Sequence, residues 1–540
     1  MIVTVHTYLF EAKSIQTFIL ATNRLKEIVG GSEMVEVLAD SLLDKVLEAI
    51  GGKDNIVFSR RGGGAFFAFS EDKTAIDQLA SLWPLCVRQH VPGLSFVQAR
   101  SQGKTALAAF EEAHNKMLVN RNRVLARLPQ ASPFAVRNRR TGEPASVSSY
   151  TKGKNEPVDT VTARKHAFAT CNLLTSRFVS DETENGRTWP LNLSPSEGEE
   201  NELDFPFIGE NHTIGLVHAD GNGLGQLLMN LAKIVKEKPA KYVAIFHGFS
   251  EAISGATVAA AQRATQEVLE PKTCNTYPAR PIVLGGDDLT IIVRADLALP
   301  FTRAFLAAFA EESETRLTTL KNKFGLSGLP DRLTACAGIV YAKASQPFHM
   351  LHGLAEGLCK HAKTLAKANN QTETPSSLCF HRVSTALIDD YGTILKSELT
   401  AGQFRHTLEC YAIEAVKGLP QIKYLLDLQD LLADPNLSQG GSRELLGLIG
   451  RDPKQAKRHY ARWREIMEDR HNDKLMTFDS LLEELAVIKS DSDLPYSDTT
   501  GDGLRHSPLG DAITLCSVGN LAETDAENSI NEEIAQWATH

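Results

Sequence analysis

The stretch that decides the fold runs from Pro281 to Val293 and reads Pro-Ile-Val-Leu-Gly-Gly-Asp-Asp-Leu-Thr-Ile-Ile-Val. Two apolar, largely β-branched runs enclose Gly-Gly-Asp-Asp, which is the pattern of a β-hairpin with glycines at its tight turn. The adjacent carboxylates of Asp287 and Asp288 would repel each other, and one pKa would rise unless a cation lay between them. The stretch therefore predicts a hairpin that carries its chemistry at the turn.

A second glycine-rich segment begins about sixty residues earlier, at Thr213, and reads Thr-Ile-Gly-Leu-Val-His-Ala-Asp-Gly-Asn-Gly-Leu-Gly. It predicts a strand that ends at Asp220, followed by a helix from near Gln226. After the hairpin, the pattern predicts a helix over 299–320, a strand over 333–341 and a helix over 347–368. This is the βαββαβ order of a ferredoxin-like sheet with helices on one face.

In that order the strand ending at Asp220 is a neighbour of the hairpin, so three carboxylates should converge at one edge of the sheet. Asp220, Asp287 and Asp288 would form a hard-oxygen site for Mg²⁺ or Mn²⁺. Two such ions can activate a 3′-hydroxyl and neutralise a departing pyrophosphate. Lys363, on the last helix of this unit, is the best candidate for a triphosphate clamp, although a solvated lysine on a helix face is the default interpretation.

Other interpretations of these motifs are weaker. A lone Gly-Gly-Asp-Asp is more often an ordinary turn, and its spacing from Asp220 raises the case for catalysis. The segment from Asp220 to Gly225 also resembles a calcium loop, but Leu224 stands at a ligand position. A dinucleotide fingerprint is disfavoured because the Asp precedes the glycines. The glycines would instead let a nucleotide approach the backbone, with phosphates near the helix N-terminus.

A weak repeat of this layout lies at the N-terminus, where a strand-like run from Val3 to Phe10 leads into a helix pattern and then a hairpin-like run over 56–69. We therefore predict an α+β protein with two ferredoxin-like (βαββαβ) domains and a C-terminal α-helical domain. The predicted divisions are a first ferredoxin-like domain with a Gly-Gly-Gly turn, a connector, a second such domain with the Gly-Gly-Asp-Asp turn, and a helical end with an acidic tail: 1–128, 129–204, 205–390 and 391–540. Helical periodicity predicts helices from Ala401 through Ile488, with a break at 435–441.

Composition bounds the remaining possibilities. The 540 residues carry a net charge of −9 and are 42% hydrophobic, which excludes collagen, wholesale disorder and a disulfide scaffold. Five acids and no Lys or Arg lie between Glu523 and His540. No two of the eight cysteines lie within four residues of each other, so no local zinc framework is expected. The N-terminus lacks a signal-peptide pattern and no apolar run approaches a membrane span, so we expect a cytoplasmic protein without membrane contact.

Several motifs together resemble the large polymerase-like subunit of type III CRISPR effector complexes, in a variant that lacks the HD nuclease domain. In chain order they are Ser14-Ile-Gln-Thr-Phe-Ile, Leu25-Lys-Glu-Ile-Val-Gly-Gly-Ser, Arg61-Gly-Gly-Gly-Ala-Phe-Phe, Asp220-Gly-Asn-Gly-Leu-Gly and Gly285-Gly-Asp-Asp. Pro347-Phe, Ala362-Lys363 and Phe380-His381 continue the resemblance, which covers roughly residues 1–390. The helical remainder fits the family only by position and composition.

The resemblance implies two cyclase-like palms with ATP bound between them. The second palm would polymerise ATP into cyclic oligoadenylate when the complex binds target RNA. Guide RNA, target RNA and the small and backbone CRISPR subunits would be the partners. Residue by residue, the aspartates would hold Mg²⁺ or Mn²⁺, Lys363 would touch phosphate, and the nucleotides would be lined by Gly221, Asn222, Gly285 and Gly286 on one side and Gly62, Gly63 and Gly64 on the other.

Three departures from the family matter. No His-Asp dipeptide occurs, so DNA cleavage by an HD domain is not expected. Where the family often carries a CxxCG zinc knuckle, this chain has Asn138-Arg-Arg-Thr141-Gly142, so the shape could persist without metal and no zinc is expected. Glu11 stands where many relatives have Asp, which is compatible with a first palm that binds no catalytic metal.

Two basic stretches and two rival functions remain open. Residues 116–140 and 454–464 hold seven and five basic residues without an acid, and each is either a solvated face or a contact for RNA or an acidic subunit. Tyr460 and Trp463 favour a core-facing stripe over base stacking. The rival functions are a stand-alone GGDEF-like cyclic nucleotide synthase and a catalytically silent scaffold for RNA and subunits.

Overall fold

The fold is described from a computed structural model of the chain. It describes residues 4–22, 24–123, 134–151, 154–179, 186–193, 205–207, 212–271, 275–369, 373–385, 388–434, 439–485 and 493–519. The acidic tail predicted from 523 to 540 lies outside the described residues.

The N-terminal unit is a four-stranded antiparallel sheet in the order β2-β3-β1-β4, which is the ferredoxin-like arrangement. The consecutive residues Leu9 and Phe10 point to opposite faces of β1. Phe10 packs on Trp83 of α4, and Leu9 packs with Ala113 of α5. Helix α5 therefore covers the face opposite to α4. The elements are β1 (Val5–Lys13), α1 (Ile15–Ile19), α2 (Leu25–Val37), α3 (Leu43–Ala49), β2 (Val57–Gly62), β3 (Ala65–Ser70), α4 (Lys73–His90), β4 (Ser95–Gly103) and α5 (Ala106–Arg121).

The connector contains a hairpin and a helix as well as loops. Its elements are β5 (Val147–Thr151), β6 (Lys154–Val158) and α6 (Thr160–Phe168). Helix α6 packs closely on α2, since a Cβ on Gly30 would lie 1.8 Å from the carbonyl oxygen of Lys165. The buried ammonium of Lys165 donates to the carbonyl of Phe18 at 2.5 Å, at the C-terminal end of α1. The connector is thus part of the core of the first palm.

The second unit repeats the ferredoxin-like order and extends it to a six-stranded sheet, β14-β11-β10-β7-β9-β8, in which β14 is Tyr411–Ala412. The predicted elements over 299–320, 333–341 and 347–368 are confirmed, with ends that differ by one to four residues. Helices α8 and α9 cover one face, and α10 covers the other. The elements are β7 (Thr213–Gly221), α7 (Leu224–Lys236), α8 (Tyr242–Ala264), β8 (Ala279–Gly285), β9 (Asp288–Arg294), α9 (Ala295–Phe324), β10 (Ala335–Lys343), α10 (Phe348–Asn369) and β11 (Ser377–Arg382).

The C-terminal region is less helical at its start than its periodicity predicts. Helices do not begin at Ala401; short strands occupy this part, and β14 adds to the sheet of the second palm beside β11. The strand β13 pairs with β15, about a hundred residues later, so local periodicity could not reveal it. The elements are α11 (Tyr391–Ser397), β12 (Thr400–Ala401), β13 (Phe404–Arg405), β14 (Tyr411–Ala412), α12 (Ile422–Ala433), α13 (Gln439–Arg451), α14 (Pro453–Glu484) and β15 (Arg505–His506). The proposed domain divisions stay predictions.

The two palms meet along α2, β8, β2 and α8. Ser32 on α2 donates its hydroxyl to the carbonyl of Ile282 on β8. By length and composition alone, the helical stretch 239–269 could cross a membrane, but α8 within it packs against α9 and β2. The contacts of α2 with β8 and of α8 with β2 fix the hairpin of the second palm opposite the glycine turn of the first.

Candidate active site

The Gly-Gly-Asp-Asp hairpin forms as the sequence predicts. Gly285 ends β8 and pairs with Asp288, the first residue of β9. Gly286, in the turn between them, has φ of +64°, a left-handed conformation that glycine adopts without the cost of a side chain. The turn thus places Asp287 at its tip and Asp288 at the start of a strand.

Asp220 lies beside the hairpin because β7 and β9 are adjacent strands. Ala219 pairs with Leu289, so Asp220 stands next to Asp288 at the same sheet edge. Gly221 allows the closest approach: a Cβ there would lie 2.7 Å from Oδ2 of Asp287. The three aspartates predicted to converge are therefore brought together.

Burial and mutual repulsion make this cluster unusual. Burial first, and then the charge of Asp220, raises the pKa of Asp287 to about 6. Burial, with the charges of both other aspartates, raises the pKa of Asp288 to about 8. Oδ1 of Asp288 is buried and has no hydrogen-bond partner among the described residues. A cation placed among these oxygens would relieve both costs.

His218 lies next to the cluster but does not supply that cation. Its Nδ1 is 3.5 Å from Oδ1 of Asp288 and 3.1 Å from Oγ1 of Thr290. Burial, assisted by neighbouring His352, lowers the pKa of His218 to about 4, so the ring is neutral near pH 7. From the sequence we expected no catalytic role for this histidine, and nothing in its surroundings assigns one.

Lys363 projects from α10 into the cluster. Its ammonium donates to Oδ2 of Asp220 and, at 2.7 Å, to the carbonyl of Gly221. One ammonium therefore opposes three carboxylates. Its predicted contact with phosphate stays a prediction, since the structure places it first on protein oxygens.

The donor set fits a divalent cation in kind and in charge. Three carboxylates are the hard ligands that Mg²⁺ and Mn²⁺ take, and an orphaned buried oxygen is among them. Within the described ranges, no three His, Cys, Asp or Glu side chains are arranged to enclose an ion as they stand. Asp220 has one oxygen on the Lys363 ammonium, so this carboxylate would have to share or exchange that partner.

Asn222 is placed differently from the other predicted residues. Its side-chain amide donates to Oγ1 of Thr334 at 2.9 Å, and its backbone N–H donates to the Thr334 carbonyl at 2.8 Å. These bonds tie the loop after β7 to the residue before β10. A direct contact of Asn222 with nucleotide stays a prediction.

The turn of the first palm has the same register as the hairpin of the second. Gly62 pairs with Ala65 as Gly285 pairs with Asp288. The two adjacent aspartates are therefore replaced by Gly64 and Ala65. With them, the first palm loses two of its three carboxylate positions.

The third carboxylate position of the first palm is retained and neutralised. Glu11 pairs with Ala65 across β1 and β3, so it occupies the position of Asp220. Arg121, at the end of α5, donates to Oε2 of Glu11 at 2.5 Å. This pair corresponds to Asp220 and Lys363, since α5 and α10 each follow the fourth strand and cover the same face. Glu11 was noticeable in the sequence, but its partner was not.

The two turns face each other across a cleft of about 470 Å³. A Cβ on Gly285 would lie 3.6 Å from Cα of Gly63, so the backbones nearly touch. Arg177 of the connector lies beside them and donates to Glu36 at 2.9 Å and to the carbonyl of Leu284 at 2.7 Å. Lining residues come from both palms and the connector: Glu36, Asp40, Arg60, Arg61, Gly62, Gly63, Gly64, Ser176, Arg177, Glu251, Ser254, Gly285, Gly286 and Asp287.

The knuckle segment folds around a buried carboxylate. Asp159 accepts from the amide of Asn138 at 2.8 Å and from the hydroxyls of Thr141 at 2.7 Å and Thr162 at 2.9 Å. It also caps α6 by accepting from the Thr162 N–H at 2.9 Å. Two residue pairs with i, i+3 spacing, Asn138 with Thr141 and Asp159 with Thr162, are thus joined by hydrogen bonds. The two halves of a CxxC…CxxC site have the same spacing and would be joined by a metal. That second pair, Asp159-x-x-Thr162, is a sequence signal that we missed.

Many charges of the two basic stretches are paired within the chain. In the first, Arg121 binds Glu11, and Arg140 contacts the buried carboxylate of Glu27 at 3.2 Å. In the second, Arg464 makes a two-pronged bond to Asp479 at 2.6 and 2.7 Å. The carboxylates come from other segments, so the sequence runs overstate the basic surface.

The aromatic stripe of the second stretch faces the core, as predicted. Tyr460 is buried and stacks on Trp463, with ring centroids 5.9 Å apart. Trp463 in turn packs edge-on against Phe478 of the same helix. This stretch therefore offers RNA no free aromatic platform at these two residues.

The fold also gathers cysteines that are scattered in the sequence. Cys359 on α10 is buried together with Cys336, Cys379 and Cys410, and its thiol donates to the Cys336 carbonyl at 3.1 Å. Burial raises the pKa of Cys336 to about 11 and that of Cys359 further. The thiols of Cys336 and Cys359 are therefore protonated near pH 7, and all four cysteines act as small core residues.

One family model recognises the part of the chain that carries this site. Residues 213–372 match the model described as Cas10/Cmr2, second palm domain. This segment is similar to the second palm of Cas10/Cmr2 proteins. It includes Asp220, the hairpin and Lys363, so the resemblance stated from the motifs is confirmed. No curated protein matches the chain significantly.

Solved structures give more distant likenesses to this Cas10-like chain. The Csm1–Csm4 cassette in complex with cA4 is 13% identical, with 95% of this chain and 70% of that chain covered and a TM-score of 0.45. The cassette in complex with pppApA is 11% identical, with 96% of this chain and 69% of that chain covered and a TM-score of 0.48. Csm1 in T. onnurineus is 13% identical, with 95% of this chain and 69% of that chain covered and a TM-score of 0.48. At such identities and TM-scores these likenesses carry no argument about the chain.

Proposed function

We propose that the chain is the large subunit of a type III CRISPR effector complex and synthesises cyclic oligoadenylate from ATP by metal-dependent 3′–5′ nucleotidyl transfer. The observation that carries the proposal is the convergence of Asp220, Asp287 and Asp288 at the edge of a Cas10/Cmr2-type palm, facing a cleft between two palms.

In this proposal the chain acts by positioning and by charge. A divalent cation, when bound, supplies charge neutralisation at the attacked phosphate. Asp220, Asp287 and Asp288 would hold it, while Gly285 and Gly286 would let a nucleotide approach the backbone. The glycine turn of the first palm, Gly63 with Gly64, would face the second ATP. Catalysis then rests on orientation and electrostatic stabilisation, without a protein nucleophile.

The partners follow from the same proposal. Guide RNA, target RNA and the small and backbone subunits would assemble with the chain in the cytoplasm, and target RNA would switch synthesis on.

The test is incubation of the chain, alone and within its complex, with ATP and Mg²⁺, followed by mass analysis. The double variant Asp287→Ala/Asp288→Ala should bind RNA and partners like wild type and form no oligonucleotide, since two of three cation ligands are gone. Replacing Glu311, an exposed acid on α9 paired with Arg263, by Ala is the control and should leave synthesis unchanged. Product from the double variant would contradict the assignment, and product from GTP in preference to ATP would favour the GGDEF-like alternative.

A further inference from the structure

One charged side chain in the inter-palm cleft has no partner among the described residues. Arg60, on β2 of the first palm, lines the cleft, and its guanidinium makes no hydrogen bond or ion pair with any residue that the structure describes. Its neighbour Arg61 differs, because it donates to the carbonyl of Ala39 at 2.7 Å and pairs with Asp44 at 2.9 Å. Within the described part of the chain, Arg60 is therefore a solvent-exposed cation of the cleft without a protein anion.

The position of Arg60 relates it to the opposite palm. Its Nη2 lies 3.7 Å from where a Cβ on Gly63 would stand, and Gly63 is the residue that nearly touches Gly285. The guanidinium also lies over the ring of Phe67, 5.8 Å from the centroid. Arg60 thus sits where the two turns approach each other.

The cleft is lined by charges of both signs, the acids Glu36, Asp40, Glu251 and Asp287 and the arginines Arg60, Arg61 and Arg177. Arg177 is already bound to Glu36 and to a backbone carbonyl, so it is compensated. Glu11 and Asp287 are the acids whose charges act on Arg60, and Glu11 is bound to Arg121. A nucleoside triphosphate at the hairpin would bring several negative charges toward Arg60, the lining arginine without a partner among the described residues.

We propose that Arg60 of the first palm binds the triphosphate of the nucleotide held at the Gly285–Asp288 turn of the second palm. The contact crosses between palms and gives the degenerate palm a direct part in substrate binding. A guanidinium suits this role because its planar fork can make two parallel bonds to phosphate oxygens. The inference rests on the proposed function for the identity of the site, and it can be tested without turnover.

The experiment is calorimetric titration of the full chain with AMPPNP, in EDTA and again with Mg²⁺. Arg60→Ala should weaken AMPPNP binding roughly 10- to 100-fold, the usual range for loss of a charged hydrogen-bonded contact, and should flatten its salt dependence. Arg60→Lys should recover part of the affinity, since it restores charge without the fork. Arg100→Ala removes an arginine of the same palm that is paired with Asp77, and should change nothing.

The outcomes separate this proposal from the proposed function. Unchanged AMPPNP affinity in Arg60→Ala overturns it, as does equal weakening of AMPPNP and adenosine, which would mean a structural role. Failure of wild type to bind AMPPNP also overturns it. If wild type binds AMPPNP with the expected dependence on Arg60 but forms no oligoadenylate, the proposed function fails while the phosphate contact stands.

Discussion

Replacing Gly221 by Ala should disable the site with one methyl group. The Cβ would lie 2.7 Å from Oδ2 of Asp287 and 2.9 Å from its Cβ, whereas ordinary contacts begin at 3.4 Å. The carboxylate must therefore withdraw by about 0.7 Å, or the hairpin must shift with it. Either movement changes the geometry of a proposed cation ligand without removing any ligand.

The expected magnitude follows from the tolerance of such sites. Mg²⁺ demands near-ideal octahedral geometry, and a misplacement of about 1 Å at a reacting centre can cost ~10²-fold in rate. We expect kcat for oligoadenylate synthesis to fall ~10- to 100-fold. Overpacking of this kind costs about 1–3 kcal/mol, so the chain should remain folded. Initial rates from ATP and Mg²⁺, resolved by chromatography, measure the first effect, and thermal unfolding measures the second.

A matched control lies four residues away in the same motif. Gly225 is in the first turn of α7, and a Cβ there meets nothing within 4 Å. Gly225→Ala should leave kcat unchanged and raise helix stability by up to ~1 kcal/mol, since Ala is the better helix former. Equal rates for Gly221→Ala, Gly225→Ala and wild type would refute the claim that Gly221 exists to admit Asp287.

Two further variants test the core of the fold. Asp159→Ala should destabilise the chain by ~3–5 kcal/mol in chemical denaturation, because it leaves buried donors such as the Asn138 amide without an acceptor. The control, Asp390→Ala, removes an exposed N-cap and should cost only ~1 kcal/mol. Equal losses of stability in the two variants would contradict the role of Asp159 as a buried acceptor. Burial raises the pKa of Asp511 to about 7, so its folded form favours the proton. The free energy of unfolding should therefore fall as pH rises from about 4 to 7, and should fall less in Asp511→Asn; parallel pH profiles of the two proteins would contradict this.

The palms were predictable because their information is local. Alternating apolar residues around glycine turns define each hairpin, and strand–helix order then leaves the ferredoxin-like sheet as the simplest arrangement. The region after Tyr391 could not be predicted in this way, because its short strands are specified by partners distant in the sequence. Phe404 pairs with Arg505, and Tyr411 pairs with Leu378. Two-residue strands carry too little periodicity to be distinguished from the adjoining helices.

The candidate site divides in the same way. The convergence of Asp220 with the hairpin followed from strand order alone. The partners of the acids did not, since Lys363 and Arg121 reach their carboxylates from helices more than a hundred residues away in the chain. The surroundings of Arg60 are equally invisible in the sequence, where it is one of two adjacent arginines.

A count of charges explains why one palm should need a divalent cation and the other should not. In the first palm, Glu11 is balanced by Arg121, and glycine and alanine fill the remaining two positions. In the second, Lys363 balances one of three carboxylates, and the neighbouring histidine is neutral near pH 7. Two carboxyl groups remain uncompensated, and the raised pKa values of Asp287 and Asp288 reflect the cost of ionising both of them. Each palm thus keeps an acid–base pair at the same place, and the added Asp-Asp turn converts a neutral structural contact into a site that gains by binding a cation.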